Sequence, residues 1–198
     1  LLVTAVAVGV VLGTVLALMR LSRYRLLSAF AGTYVNFFRS MPLVLVIFWF
    51  YFLVPIMLRG VIDNPAVGPL YSALIAFAVF EAAFYCEIIR AGIQSIHRGQ
   101  ISAAYALGMN YAQAMGHVIL PQALRLTIPP LTNRTIAITK GTALGSVVAV
   151  TEILGEASSA VSNSYNPSPL TMAAAAYLLL FLPVVVLGRW IEKKSSWK

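Results

Sequence analysis

Among the charged side chains that fall inside otherwise apolar stretches are Glu81, Glu87, Arg134 and Lys140. A charge at membrane depth is costly, so such residues call for a partner or a ligand. Arg134 and Lys140 could hold a substrate carboxylate, and Glu81 or Glu87 an ammonium group. Equally, the cations could pair with Glu81 and Glu87 as structural ion pairs. Glu87 lies near one end of its apolar stretch, which favours the structural role. Around the cations, Thr132, Thr135, Thr139, Thr142 and Ser146 recur every three or four residues and so share one helix face. Such a hydroxyl stripe can line a wet passage, or bond back to its own helix carbonyls. At about 100° per residue, Arg134 and Lys140 stand roughly 110–130° off the stripe, on opposite sides. Together with Glu81, the stripe and the two cations are the candidate pathway residues.

Other chemistries lack their parts. Gly145-Ser146 could be imagined as a nucleophile, but no histidine falls inside an apolar span to act as its base. His97 and His117 have no Cys or carboxylate at metal-ligand spacing, so no metal site is expected. Cys86, in an apolar segment, reads as a small buried hydrophobe. Lys140 is followed by Gly141 but preceded by Thr139, where a nucleotide-binding P-loop needs Gly. ATP is therefore not expected on this chain by that loop, and no catalytic residue is assigned.

These residues must be held by membrane helices. The chain has 198 residues, 60% hydrophobic and 10% charged, with mean hydropathy +0.87. Soluble domains carry about 25% charged residues. An all-α membrane protein is the expected class, as one transmembrane domain over residues 1–198. Five spans approach the roughly 20 residues needed to cross a bilayer. They cover Leu1 to Met19, Pro42 to about Leu58, about Pro69 to Ile89, about Ile119 to Val150, and about Pro169 to Gly188. The fourth is expected to be interrupted by Pro121, Pro129-Pro130, Gly141 and Gly145, and the fifth kinked at Pro183. Residues 26–38 read as an interfacial or cytoplasmic helix leading into the second span. Asn163 to Pro169 reads as a turn. Residues upstream of Leu1 are expected, because the first apolar run is not shaped like a signal peptide.

The net charge of +8 could suggest nucleic acid in a soluble protein. Here the basic residues flank the spans. Arg20, Arg23, Arg25 and Arg39 follow the first, Arg90 and Arg98 the third, and Arg189, Lys193, Lys194 and Lys198 the fifth. The opposite loops hold Arg59, Asp63, Glu152 and Glu156. The positive-inside rule then predicts a cytoplasmic C-terminus and a cytoplasmic 91–118 loop, with the N-terminus outside. Trp190 and Trp197 beside Lys193 and Lys194 read as an interfacial anchor.

That loop carries its own pattern. Ile101 to Leu107 is Ala-rich and helix-forming. Gly108 suits a left-handed helix stop, and Asn110 with Gln113 suits a capping box for a second helix. Ala103, Ala104, Ala106 and Gly108 would present a small surface to a partner.

The spacing Ala103-Ala104, three residues, Gly108, nine residues, Val118-Ile119-Leu120-Pro121 resembles the EAA loop of ABC-importer permeases. Ser102 stands where that family has Glu, so any ion pair made by the Glu is absent. Glu87 to Ser95, Phe38 to Leu43 and Lys140 to Leu144 are similar to further motifs of the polar amino-acid permeases. Gly141 departs from the acidic residue or Asn often found there. The resemblance covers essentially the whole chain and implies a permease subunit of a bacterial inner-membrane importer, with the type I fold. It also implies separate ATPase subunits that hold the ATP and Mg, a second permease subunit, identical or not, and a periplasmic amino-acid-binding protein. Ser102, Ala103, Ala104, Gly108, Leu120 and Pro121 would couple to the ATPase. Phe-Glu-Ala-Ala-Phe-Tyr around Glu81 looks most like glutamate and aspartate permeases. The rival expectation is a stand-alone transporter driven by an ion gradient, which usually has a longer chain with internal repeats.

Overall fold

A computed structural model describes residues 1–59 and 68–195. Asp63, Trp197 and Lys198 lie outside the described residues. The elements are α1 (Leu2–Leu21), α2 (Arg25–Arg39), α3 (Leu43–Phe48), α4 (Val54–Leu58), α5 (Pro69–Gln94), α6 (Arg98–Ala106), α7 (Tyr111–Ala114), α8 (Leu120–Gly141), α9 (Ile153–Ser164) and α10 (Ser168–Ser195). Three helices, α1, α5 and α10, are long and apolar enough to cross a membrane singly. Two bent pairs bring the number to five: α2 with Leu43–Leu58, and Tyr111–Val148 with Ile153–Ser164.

The centre of the bundle is α5, where Ala73, Ala76, Phe77, Ala82, Ala83 and Tyr85 are fully buried. Its main partner is α1. Ala5, Gly9, Gly13 and Ala17 recur every fourth residue on α1 and are all buried. Small residues at that spacing let two backbones approach closely where water supplies no driving force. A β-carbon on Gly13 would lie 2.7 Å from Cβ of Tyr85 and 2.9 Å from the Ala82 carbonyl oxygen. Gly13→Ala is therefore expected to destabilise the purified chain by about 1–3 kcal/mol, the range for overpacking. Thermal unfolding in detergent checks this. Gly9→Ala should cost less, since its nearest neighbour would be Cβ of Glu81 at 3.2 Å.

The helix expected over residues 26–38, leading into the second span, is α2, which folds back along α1 and α5 after a three-residue link. The Ser28 hydroxyl donates to the Arg20 carbonyl at 3.1 Å, and the Tyr34 hydroxyl to the Val79 carbonyl at 2.7 Å. Ala31 and Val35 bury against Leu16, Ala17, Ala82, Ala83 and Cys86. The reason is again side-chain size: Ala31 lets α2 lie close. A bend of 107° then separates α2 from Leu43–Leu58. Arg39 ends α2, the first arm of this bent unit, and is exposed.

The fourth span is more continuous than its prolines suggest. Helix runs through Pro129 and Pro130, and the chain is helical from Tyr111 to Val148. Membrane helices tolerate proline because neighbouring groups re-satisfy the freed carbonyls. Wide π-turns at Trp49–Leu53 and Met115–Ile119 come just before Pro55 and Pro121. A π-turn relieves the clash of the proline ring with the preceding turn. Only the Gly141 region interrupts the α-helix as expected: Thr142–Val148 tightens to a 3-10 helix and ends at Ala149, φ 59°. The helix α9 is an addition to the sequence reading. It begins where the Glu152 carboxylate accepts from the Leu154 and Gly155 amides. Asn163 to Pro169 is largely the expected turn, with Tyr165 at φ 54° and Asn166 capping Ser168. Finally, α10 passes through Pro183 as one helix, and the Lys194 ammonium lies 5.1 Å from the Trp190 ring.

Candidate functional site: a helix-turn-helix loop and an interior ion pair

The loop folds as its residues dictate. His97 caps α6, its Nδ1 accepting from the Gly99 amide at 3.1 Å. At the far end Gly108 adopts φ 76°. The Gly108 amide donates to the Tyr105 carbonyl at 3.0 Å and the Met109 amide to the Ala104 carbonyl at 3.1 Å. This paired closure is the Schellman motif, and it needs a residue at positive φ. Asn110 and Gln113 then form the reciprocal capping box, each bond 2.9 Å. From Tyr111 the chain is helical into α8, so Leu120-Pro121 marks the entry to the span and not a stop. Ile96, Ile119 and Ala123, with Ile93, Ile101 and Met115 against them, fix the loop to the ends of α5 and α8.

Of the coupling candidates, Ser102, Ala103, Gly108, Leu120 and Pro121 are exposed. Ala104 is not: it is 3% exposed. Its place on the small surface passes to bulkier residues that sequence reasoning passed over. Tyr105, Leu107 and Tyr111 are exposed, Leu107 at 79%. The signal was available, since Ile101 and Met115 already supply the inward face of the loop. Beside them, Leu107, Gly108, Met109, Gln113 and His117 line a recess of about 320 Å³.

Inside the bundle, Glu81 and Arg134 meet. Arg134 donates from Nε to Glu81 Oε2 at 2.7 Å and from a terminal nitrogen to Oε1 at 2.5 Å. The Glu81 side chain is 1% exposed and that of Arg134 22%. The guanidinium carbon lies 3.5 Å from the Phe84 ring centre and 5.8 Å from that of Phe80. Both the bidentate fork and the stacking are geometries that only arginine supplies. The ion pair, one of the two roles open to these charges, is formed in this structure.

Glu87 also pairs, but not with Lys140. It accepts from Arg20 at 2.5 Å and from Arg90, tying α1 to α5. Lys140 is exposed and makes no ion pair among the described residues.

The hydroxyl stripe is largely turned inward on itself. Thr135 donates to the Leu131 carbonyl, Thr139 to Thr135, Thr142 to Thr139 and Ser146 to Ala143, all at 2.7–2.9 Å. The Thr135 oxygen also lies 3.3 Å from the Tyr85 hydroxyl. Thr132 packs: a β-carbon on Gly188 of α10 would come 2.8 Å from its Cγ2. At the end of the stripe, Ser146 borders a recess of about 460 Å³ walled also by Thr151, Glu156 and Ser158.

Known proteins bear on this geometry. A family model described as "Binding-protein-dependent transport system inner membrane component" matches residues 9–197. The glutamate/aspartate import permease protein GltK of Escherichia coli O157:H7 is 42% identical over 98% of this chain and 88% of its own length. An arginine transport system permease protein, ArtQ of Bacillus subtilis strain 168, is 35% identical over 97% and 86%. Among solved structures, an amino acid ABC transporter with histidines superposes with TM-score 0.89 at 31% identity, covering 98% of this chain and 88% of that one. A MetNI methionine ABC transporter in an inward-facing conformation gives TM-score 0.73 at 21% identity over 99% and 89%, a likeness of fold.

Proposed function

The chain belongs to the family of binding-protein-dependent transport system inner membrane components, and we propose that its task is to carry glutamate or aspartate through the membrane as the permease of an ABC importer. The permease role follows from the family and from relatives that are amino-acid permeases. The acidic substrate is supported by the 42% identity to a glutamate/aspartate permease over nearly the whole chain. In this reading the C-terminus and the loop at 98–121 are cytoplasmic, and the N-terminus faces the periplasm. ATPase subunits on other chains bind against Leu107, Gly108 and the exposed aromatics. A periplasmic binding protein delivers the amino acid, and a second permease subunit completes the passage.

Coupling would run along the continuous helix. Closure of the ATPases displaces the turn at Gly108. The Tyr111–Val148 rod carries that displacement to Arg134, and the pair with Glu81 transmits it to α5. Alternating access then needs the rod to move against the α1–α5 unit.

Reconstitution tests this directly. Proteoliposomes holding the permease pair with its ATPase should take up glutamate on ATP when the loaded binding protein is outside. Uptake driven by an ion gradient, with no ATPase copurifying, would replace this reading by the ion-coupled one.

A further inference from the structure

We propose that the recess between the end of the hydroxyl stripe and α9 receives a primary ammonium group, with Glu156 as its counter-ion. The inference rests on the importer reading and deepens it. In that reading the recess lies at the periplasmic end of the fourth span, remote from the loop at 98–121.

The backbone builds the recess. The 3-10 segment ends at Ala149, whose φ is 59°, and Val150 to Glu152 stand outside any helix before α9 starts. The Val150 amide donates to the Gly145 carbonyl at 3.2 Å and fixes this turn. Gly155 lets the first turn of α9 settle onto the end of the stripe. A β-carbon there would lie 3.3 Å from Cβ of Ser146 and 3.8 Å from the Val150 carbonyl oxygen. The hollow that remains measures about 460 Å³, a size suited to a small polar group.

Its lining is made of acceptors. Ser146, Thr151, Ser158 and Ser159 bring hydroxyl oxygens, and Glu156 is the one charged residue among the described walls. Ser146 gives its proton to the Ala143 carbonyl, which leaves its oxygen free to accept. The amide that could draw in an anion is spent, because Gly155 donates to the Glu152 carboxylate at 2.8 Å. Glu152 itself is fully engaged, by that amide, by the Leu154 amide and by the Tyr177 hydroxyl. The Glu156 side chain makes no hydrogen bond or ion pair among the described residues. No Lys, Arg or His occurs between Lys140 and Arg189, and none is among the described residues that line the recess. A carboxylate flanked by hydroxyl oxygens therefore stands open to a cation from outside the chain. An ammonium has three donors and no acceptor, so one carboxylate and two hydroxyls satisfy it. Two sources bring such a group to this face: the amino acid itself, or a lysine of the binding protein that delivers it.

A charge series at this one position tests the proposal on the reconstituted importer. Glu156→Gln should lower ATP-driven glutamate uptake about ten- to a hundredfold, the span for losing a charged hydrogen bond. Glu156→Asp should keep most of the rate, and Glu156→Lys should fall below Glu156→Gln. Co-purification with the ATPase subunits shows that each variant is assembled. Titration with loaded binding protein separates the two sources. Recovery of the Glu156→Gln rate at high binding protein assigns the ammonium to that protein, and a ceiling that stays low assigns it to the amino acid. Undiminished uptake by Glu156→Gln, or equal loss in all three variants, overturns the proposal. A parent complex that moves no glutamate on ATP would sink the importer reading, and the ammonium site with it.

Discussion

Glu81→Ala is expected to cost the purified permease about 3–5 kcal/mol, because it leaves a guanidinium buried without its partner. The charge cannot retreat to water easily: the Arg134 guanidinium is stacked on Phe84, with Phe80 beside that ring, and its side chain is 22% exposed. Removing both charges should hurt less than removing one. Glu81→Ala combined with Arg134→Met should recover most of the loss, since a buried pair is commonly near neutral against apolar replacements. Denaturation of both variants in detergent measures this, and a single-variant loss below about 1 kcal/mol would mean that water reaches the pair. Transport gives a second reading of the same pair. Arg134→Ala should depress glutamate and glutamine uptake alike, as befits a strut between α8 and α5. Loss confined to glutamate would make Arg134 a substrate ligand instead.

Gly108→Pro should abolish coupling. Proline fixes φ near −65°, whereas Gly108 needs 76°, and it also removes the amide that donates to Tyr105. The Schellman closure is lost and α7 leaves α6 in another direction. ATP-driven uptake should fall on the order of a hundredfold, as when a positioned group is misplaced by about an ångström. The amount of permease in the membrane should not change, because the apolar contacts beneath the turn, Ile96 with Ile119 and Ala123, are untouched. Gly108→Asn provides the contrast. Asn tolerates the left-handed region, so this variant should keep substantial uptake. Equal loss in both would place the fault in the added side chain and not in the backbone.

The loop was the most legible part of the sequence because its determinants are local. Ala-rich helix, positive-φ glycine and Asn-x-x-Gln box act within a few residues, and each stands where expected. Span lengths were legible for the same reason, through hydropathy alone. What the sequence hid were relations between distant segments. The Ala5, Gly9, Gly13, Ala17 ladder was visible as a spacing, but its partner on α5 was not. The helix over residues 26–38 was legible, but its packing on α5 was not. The prolines of α8 overstated the break, since a rule for water-soluble helices was applied where neighbours can re-satisfy carbonyls. For the hydroxyl stripe, periodicity located the face correctly and left its use open; the structure shows most of those hydroxyls bonded to their own helix. Arg134 and Glu81 were each flagged by cost, yet only their approach in space made them a pair.

The ion pair also sets a timetable. Its two members are 53 residues apart in the chain. A ribosome adding about 5–20 residues per second needs about 3–10 s to make that stretch. For most of that interval α5 is complete and carries Glu81, while Arg134 has not yet been made. α1, which has no charge before Arg20, can wait in lipid without penalty, and it covers one flank of Glu81 through Gly9 once α5 arrives. The other flank stays open until α8 emerges. Newborn chains halted between these two helices are therefore the ones that the membrane's quality-control proteases have most reason to remove.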